Sequence, residues 1–187
     1  ISSNFGYPHF KGSKFITKFS KKQGVFKTKK NSINQLKENK FNKFMSKKFE
    51  ILTKFLAEKT KHEIIFRPHP SESIVEWKKK FKNYKNVKVI FKYDASSWIL
   101  KSKYFIQNGC LTGLEAFLRN KKVISYQPKF EIKKYNNRIS NKFSKVFDKK
   151  IKILDFIDNN IEKKLNLDKK QLKILFPKTK FNYAKNI

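Results

Sequence analysis

Arg67-Pro68-His69-Pro70-Ser71-Glu72-Ser73 is the stretch of this sequence best suited to chemistry. Two prolines hold the backbone on either side of a histidine, whose ordinary pKa lies near neutrality. Arg67 brings a permanent charge two residues earlier, so the pair can grip a phosphate through charge-assisted hydrogen bonds. Ser71 joins them as a candidate binding residue, and the helix expected from Ser73 adds amide donors at its start. The plainer reading is a rigid turn whose histidine bonds locally. A second stretch, Asn108-Gly109-Cys110-Leu111-Thr112-Gly113-Leu114-Glu115-Ala116, holds two of the five glycines. Glycine lets a backbone approach a ligand closely, and first-turn helix amides point at anions. Thr112 adds a hydroxyl. Glu115, one turn into the helix, is placed to accept hydrogen bonds from ribose hydroxyls, by analogy with dinucleotide folds. The alternative is a tight turn in which Glu115 balances the helix dipole. His69 and Arg67 are thus the catalytic candidates; Ser71, Asn108, Gly109, Cys110, Thr112, Gly113 and Glu115 are the binding candidates. Cys110 has no His or Asn partner in the sequence that would make it a nucleophile. His9 and His62 lack metal-ligand spacing with His69, so no metal site is expected.

These loops need elements to hold them. Ile33, Leu36, Phe41, Phe44, Met45, Phe49, Leu52, Phe55 and Leu56 recur at three- and four-residue steps, which predicts a core-facing helix from Ser32 to about Thr60. The period then changes. Short β-rich runs at 62–67, 87–91, 104–107 and 123–126 alternate with helical stretches begun by Ser73, by Ser96 and Ser97, and by Leu111. Strands that are continuously apolar are buried on both faces. The rhythm predicts an α/β fold, a Rossmann-like doubly wound parallel sheet with its ligands at the carboxyl ends of the strands. Both candidate stretches fall at such ends. Residues 1–30 read as a strand end and a loop, 31–150 as the Rossmann-like ligand-binding domain, and 151–187 as carboxyl-terminal helices or an arm, with a helix from about Ile151 to Leu165. The chain opens on Ile1 rather than Met, and we expect a piece of a longer protein.

The chain of 187 residues carries 46 Lys and Arg against 14 Asp and Glu, a net charge of +32. Only three of the 46 are arginine, and a phosphate-reading surface would use arginine's bidentate fork more often. Residues 63–128, which hold every motif, carry only +8 of the total. The charge therefore reads mainly as the lysine-rich drift of an AT-rich genome, with attraction to anionic partners as a by-product. With 29 aromatics the chain is not a disordered basic tail. One cysteine excludes a disulfide scaffold.

Phe66 through Ser73, then Trp77, Ser97-Trp98-Ile99-Leu100, the Asn108–Ala116 loop and Lys122-Val123-Ile124-Ser125-Tyr126-Gln127-Pro128 together resemble the bacterial surface carbohydrate biosynthesis proteins, with a weaker echo in Ser3-Asn4-Phe5-Gly6. These are similar to the capsule and polysaccharide glycosyltransferases of GT-B type, in which two Rossmann-like domains face a cleft. The resemblance implies the carboxyl-terminal, donor-binding half of such an enzyme. Arg67 and His69 would hold donor phosphate, the Asn108–Gly113 loop would cradle the diphosphate, and Glu115 would hold the ribose. The donor is a nucleotide-sugar substrate and no further cofactor is implied. The partners implied are a saccharide or lipid-linked acceptor and an amino-terminal acceptor domain that this chain lacks. A cytoplasmic protein is expected, whose charge suits peripheral contact with the anionic inner membrane face. A nucleotide-sugar 2-epimerase, which needs acidic residues that only Glu72 and Glu115 supply in these loops, is the enzymatic alternative. A non-catalytic basic module for nucleic acid or membrane is the other, with nucleic acid the lesser expectation.

Overall fold

In the computed structural model of the chain, the described residues are 1–3, 5, 18, 21–24, 29–131, 133–136 and 138–159. Most of the loop expected over 6–30, His9, and the arm and helix end expected beyond 159 lie outside them. From Lys29 the chain winds into a 31-residue helix, α1 (Lys29–Lys59). Phe41, Met45, Phe49, Leu52 and Leu56 are buried along one face of it, at the expected spacing. The helix starts three residues before Ser32, and its first turns overhang: Ile33 and Leu36 are exposed rather than core-facing. Those residues keep the helical period but join no core cluster among the described residues.

β1 (Ile64–Phe66) leads through α2 (Ile74–Phe81) to β2 (Val87–Val89), and the two strands pair in parallel, Ile64 opposite Val87. α3 (Ala95–Lys101) then leads to β3 (Tyr104–Gln107), and α4 (Thr112–Leu118) to β4 (Lys122–Tyr126). After two 3-10 turns, Lys133–Asn136 and Ile139–Phe143, come β5 (Lys145–Phe147) and α5 (Lys150–Asp158). β3, β4 and β5 make a second parallel sheet in that order. Neither β5 nor the 3-10 turns were expected, because the Lys/Asn-rich stretch after Pro128 has no apolar period. The architecture is α/β, with parallel strands in two small sheets.

The segment Ile1–Ser3 runs between the two sheets and bonds to both. The Arg67 amide donates to the Ile1 carbonyl at 2.8 Å and the Ser3 amide to the Arg67 carbonyl at 3.2 Å. On its other side the Ser2 amide donates to the Ile106 carbonyl at 2.8 Å. Side chains alternate across the three-stranded sheet as a pleat requires. Ile106, Ile124 and Tyr126 pack against α1 and α5, while Phe105 and Val123 pack with Ile99, Ala116, Phe117 and Phe143 on the opposite face. Phe66 meets Trp77 and Phe81 of α2, with ring centroids 4.4 and 5.1 Å apart.

Capping follows the expected chemistry at one helix and not at another. The Ser73 hydroxyl accepts the Glu76 amide at 3.2 Å and starts α2 as predicted. α3 is capped by Asp94 and not by Ser96 or Ser97: the Asp94 carboxylate accepts the Ser97 amide at 2.7 Å. Asp94 sits just before the first helical residue, where an N-cap must sit, and both serines lie inside the first turn. Among the described residues no helix is long and apolar enough to cross a membrane.

Candidate functional site

At the carboxyl end of β1, Pro68 is buried and Pro70 exposed, and the Glu72 amide closes a turn on the His69 carbonyl at 2.8 Å. Nδ1 of His69 accepts the Ser71 backbone amide at 3.2 Å and lies 2.8 Å from the Ser71 hydroxyl. An amide can only donate, so the neutral ring carries its proton on Nε2, which is left as the donor. Ser71 therefore orients His69. Arg67 is held by two contacts with the β2–α3 loop: its Nη2 donates to the Tyr93 carbonyl at 3.3 Å, and its guanidinium lies 5.0 Å from the Phe91 ring centre. Its Nη1 is buried and has no hydrogen-bond partner among the described residues. Buried donors are almost always paired, so this atom calls for an acceptor.

Glu72 is a brace. Its buried carboxylate accepts the Ser3 hydroxyl at 2.7 Å, the Phe5 amide at 3.0 Å and the Trp77 indole N–H at 2.8 Å. Burial pushes its carboxyl above the ordinary range, and these three donors oppose that shift. The chain start is thereby tied to the loop that presents Arg67 and His69.

Four amides of the β3–α4 loop are bonded within the chain. The Gly109 amide donates to Asn141 Oδ1 at 2.9 Å and the Cys110 amide to Gln107 Oε1 at 3.0 Å. Gly113 and Leu114 amides close on the carbonyls of Cys110 and Leu111. Asn108 is buried, its amide group donating to the Tyr126 carbonyl and to Asn136 Oδ1. Asn141 sits at the centre: it also accepts from Gln107 and Ser125, and donates to Asn108 Oδ1 and the Asn136 carbonyl. Gln107, Asn108, Ser125, Ser140 and Asn141 form a buried knot that fixes the ends of β3 and β4. Asn141 and Ser140 are residues that sequence reasoning missed. Asparagine is common in this chain, and nothing in its spacing marks one as buried.

The two glycines serve the same packing. Gly109 has φ +77°, a conformation that favours glycine, and a Cβ there would stand 2.2 Å from Arg138 Cδ. A Cβ on Gly113 would stand 2.8 Å from Gln107 Cδ. The close approach that glycine permits is to this chain's own side chains. Thr112 lies beside Cys110, hydroxyl to sulfur 2.7 Å, and the Ser2 hydroxyl donates to the same sulfur at 3.6 Å. Ser2, whose backbone bridges Arg67, thus joins the two candidate loops. Glu115 bonds Ser96 of α3 and pairs with Arg119 at 3.3 Å, so its carboxylate serves the α3–α4 contact.

The β2–α3 loop lies at one of the strand ends where ligands are expected, but sequence reasoning named no site residue in it. β2 ends at Val89, not Phe91, and the chain turns out to expose Phe91 and Tyr93 beside Arg67. Tyr93 has φ +66°, unusual for a bulky residue. A cavity of about 330 Å³ opens between β1 and β3 in line with Ile1–Ser3. Its walls include Ile64, Ile65, Tyr104 and Phe105, and only Arg67, Ser2 and Thr112 link it to the candidate loops. Comparison of the chain with protein-family models, with curated proteins and with solved structures returns no match.

Proposed function

We propose that this chain is the nucleotide-sugar-binding half of a GT-B-type glycosyltransferase of bacterial surface polysaccharide biosynthesis, its two small sheets forming one doubly wound sheet about Ile1–Ser3. The observation that carries the reading is Arg67: one of three arginines, it follows β1 at the carboxyl edge with a buried Nη1 that has no partner among the described residues. The strand order supports it. β2, β1, Ile1–Ser3, β3, β4, β5 is the order of a dinucleotide-binding sheet, whose ligands lie where the order reverses, here beside Ser2 and Gln107.

In this reading an acceptor hydroxyl attacks the anomeric carbon, the bond to the diphosphate oxygen breaks, and the nucleoside diphosphate leaves with the electron pair. Arg67 Nη1 and the His69 Nε2–H meet the charge that grows on that oxygen, as preorganised donors do. The phosphate load falls on these two side chains and Thr112. The amides of Gly109 and Cys110 are occupied by Asn141 and Gln107, so what the Asn108–Gly113 loop offers a diphosphate falls to its remaining amides, those of Leu111 and Thr112. The 2-epimerase reading is weaker, since Glu72 and Glu115 are both engaged in packing. The acceptor and its domain belong to the rest of such an enzyme.

Calorimetric titration of the chain with UDP, CDP, GDP and CMP tests this. One nucleotide is expected to bind with single-site stoichiometry. Arg67→Ala should weaken it by about tenfold or more, as loss of a charge-assisted hydrogen bond does. Lys88→Ala, which removes the same charge from β2, should leave affinity within about twofold, the range of a surface charge. If no nucleotide binds, or the two variants lose equally, the donor-site reading is wrong.

A further inference from the structure

Resting on the donor-site reading, we propose that Tyr93 is the platform on which the nucleobase of a nucleoside diphosphate stacks, with Arg67 beneath it to receive the phosphates. Tyr93 is 64% exposed, and neighbouring Phe91 is 38% exposed. Large aromatic rings are costly to leave in water, and both lie in the loop that follows β2. Their display is built. The Trp98 indole N–H donates to the Lys92 carbonyl at 2.8 Å, and Arg67 Nη2 donates to the Tyr93 carbonyl at 3.3 Å. Asp94, the next residue in the chain, caps α3. These bonds hold Tyr93 at φ +66°, where a tyrosine does not settle unaided. The ring centroids of Tyr93 and Trp98 are 6.4 Å apart at 46°, and Lys92 Nζ lies 5.0 Å from the Tyr93 ring.

The chemistry of the neighbours selects the ligand. Aromatic rings accept the π-face of any base, and the cations beside them accept phosphate. The same Arg67 touches both halves: its guanidinium contacts the Phe91 ring and the Tyr93 backbone, while its buried Nη1 has no hydrogen-bond partner among the described residues and calls for an acceptor. A planar base carrying a diphosphate satisfies ring and guanidinium together. A bare sugar phosphate satisfies only the second.

Titration of the full chain and its Tyr93→Gly and Tyr93→Phe variants with UDP, GDP and inorganic pyrophosphate tests the platform. Glycine takes φ +66° without strain, so Tyr93→Gly keeps the loop and removes only the ring. In Tyr93→Gly the nucleoside diphosphates should bind about tenfold or more weakly, as loss of one base stack does, with pyrophosphate affinity unchanged. Tyr93→Phe should restore parent affinity. If Tyr93→Gly binds UDP and GDP as the parent does, or loses pyrophosphate in equal measure, the platform is overturned and the donor-site reading stands. If the parent binds neither nucleotide nor pyrophosphate, both fall.

Discussion

Glu72 spends both carboxylate oxygens on donors, one on the Phe5 amide and the other on Ser3 and Trp77. An amide in its place turns an N–H toward either Phe5 or Trp77, whose own groups can only donate. Glu72→Gln should therefore destabilise the fold by about 2 kcal/mol, the cost of a buried donor left facing a donor, read as a lowered midpoint in urea unfolding. Gly113→Ala places a methyl 2.8 Å from Gln107 Cδ and displaces that side chain from Asn141. It should cost about 1–3 kcal/mol, typical of overpacking, measured in the same way. Arg67 and His69 were legible in the sequence because arginine, histidine and paired prolines are rare here. Tyr93 was not. It lies two residues past the run read as strand, where nothing in its spacing marks it, and a backbone turn at φ +66° decides that it is exposed.

Elements hold one another through side chains that a pattern search treats as surface. Glu50 of α1 bonds Lys54 at 2.9 Å and, across the helix pair, Lys80 of α2 at 3.1 Å. Burial alone would push its carboxyl up, but these two ammonium groups outweigh burial and hold it at about 2. The unfolded chain, at an ordinary 4.5, takes up the proton first as pH falls. The contribution is whole above about pH 4.5 and gone below about pH 2. Parent and Glu50→Gln should differ by about 2 kcal/mol in urea unfolding at pH 7 and converge toward pH 2. A constant difference would show that the cluster contributes packing and no charge. Helix α1 and the four expected strands were readable from period and β-propensity, since both are local. β5 was not, because a short edge strand with only Phe147 partly buried leaves almost no apolar signature.

At the scale of the molecule, +32 on 187 residues is a self-repelling shell. Screening lengthens no bond but weakens that repulsion, so the thermal midpoint should rise between about 10 mM and 300 mM salt, over which the Debye length falls from about 30 to under 10 Å. A midpoint that falls would show that salt bridges outweigh the repulsion. Charge along the chain, helical period, β-rich runs and the rare-residue loops are all matters of neighbours in sequence, and they sufficed for an α/β chain with Arg67 and His69 at a strand end. Which amides remain for a ligand is a question about residues far apart. Asn141 reaches back to Gly109 and Gln107, Arg138 fills the space before Gly109, and Glu72 grips Ser3 and Phe5. Each contact needs two loops brought together by the sheet, so packing, and not spacing, turned amides of the glycine loop inward and left Arg67 Nη1 without a partner among the described residues.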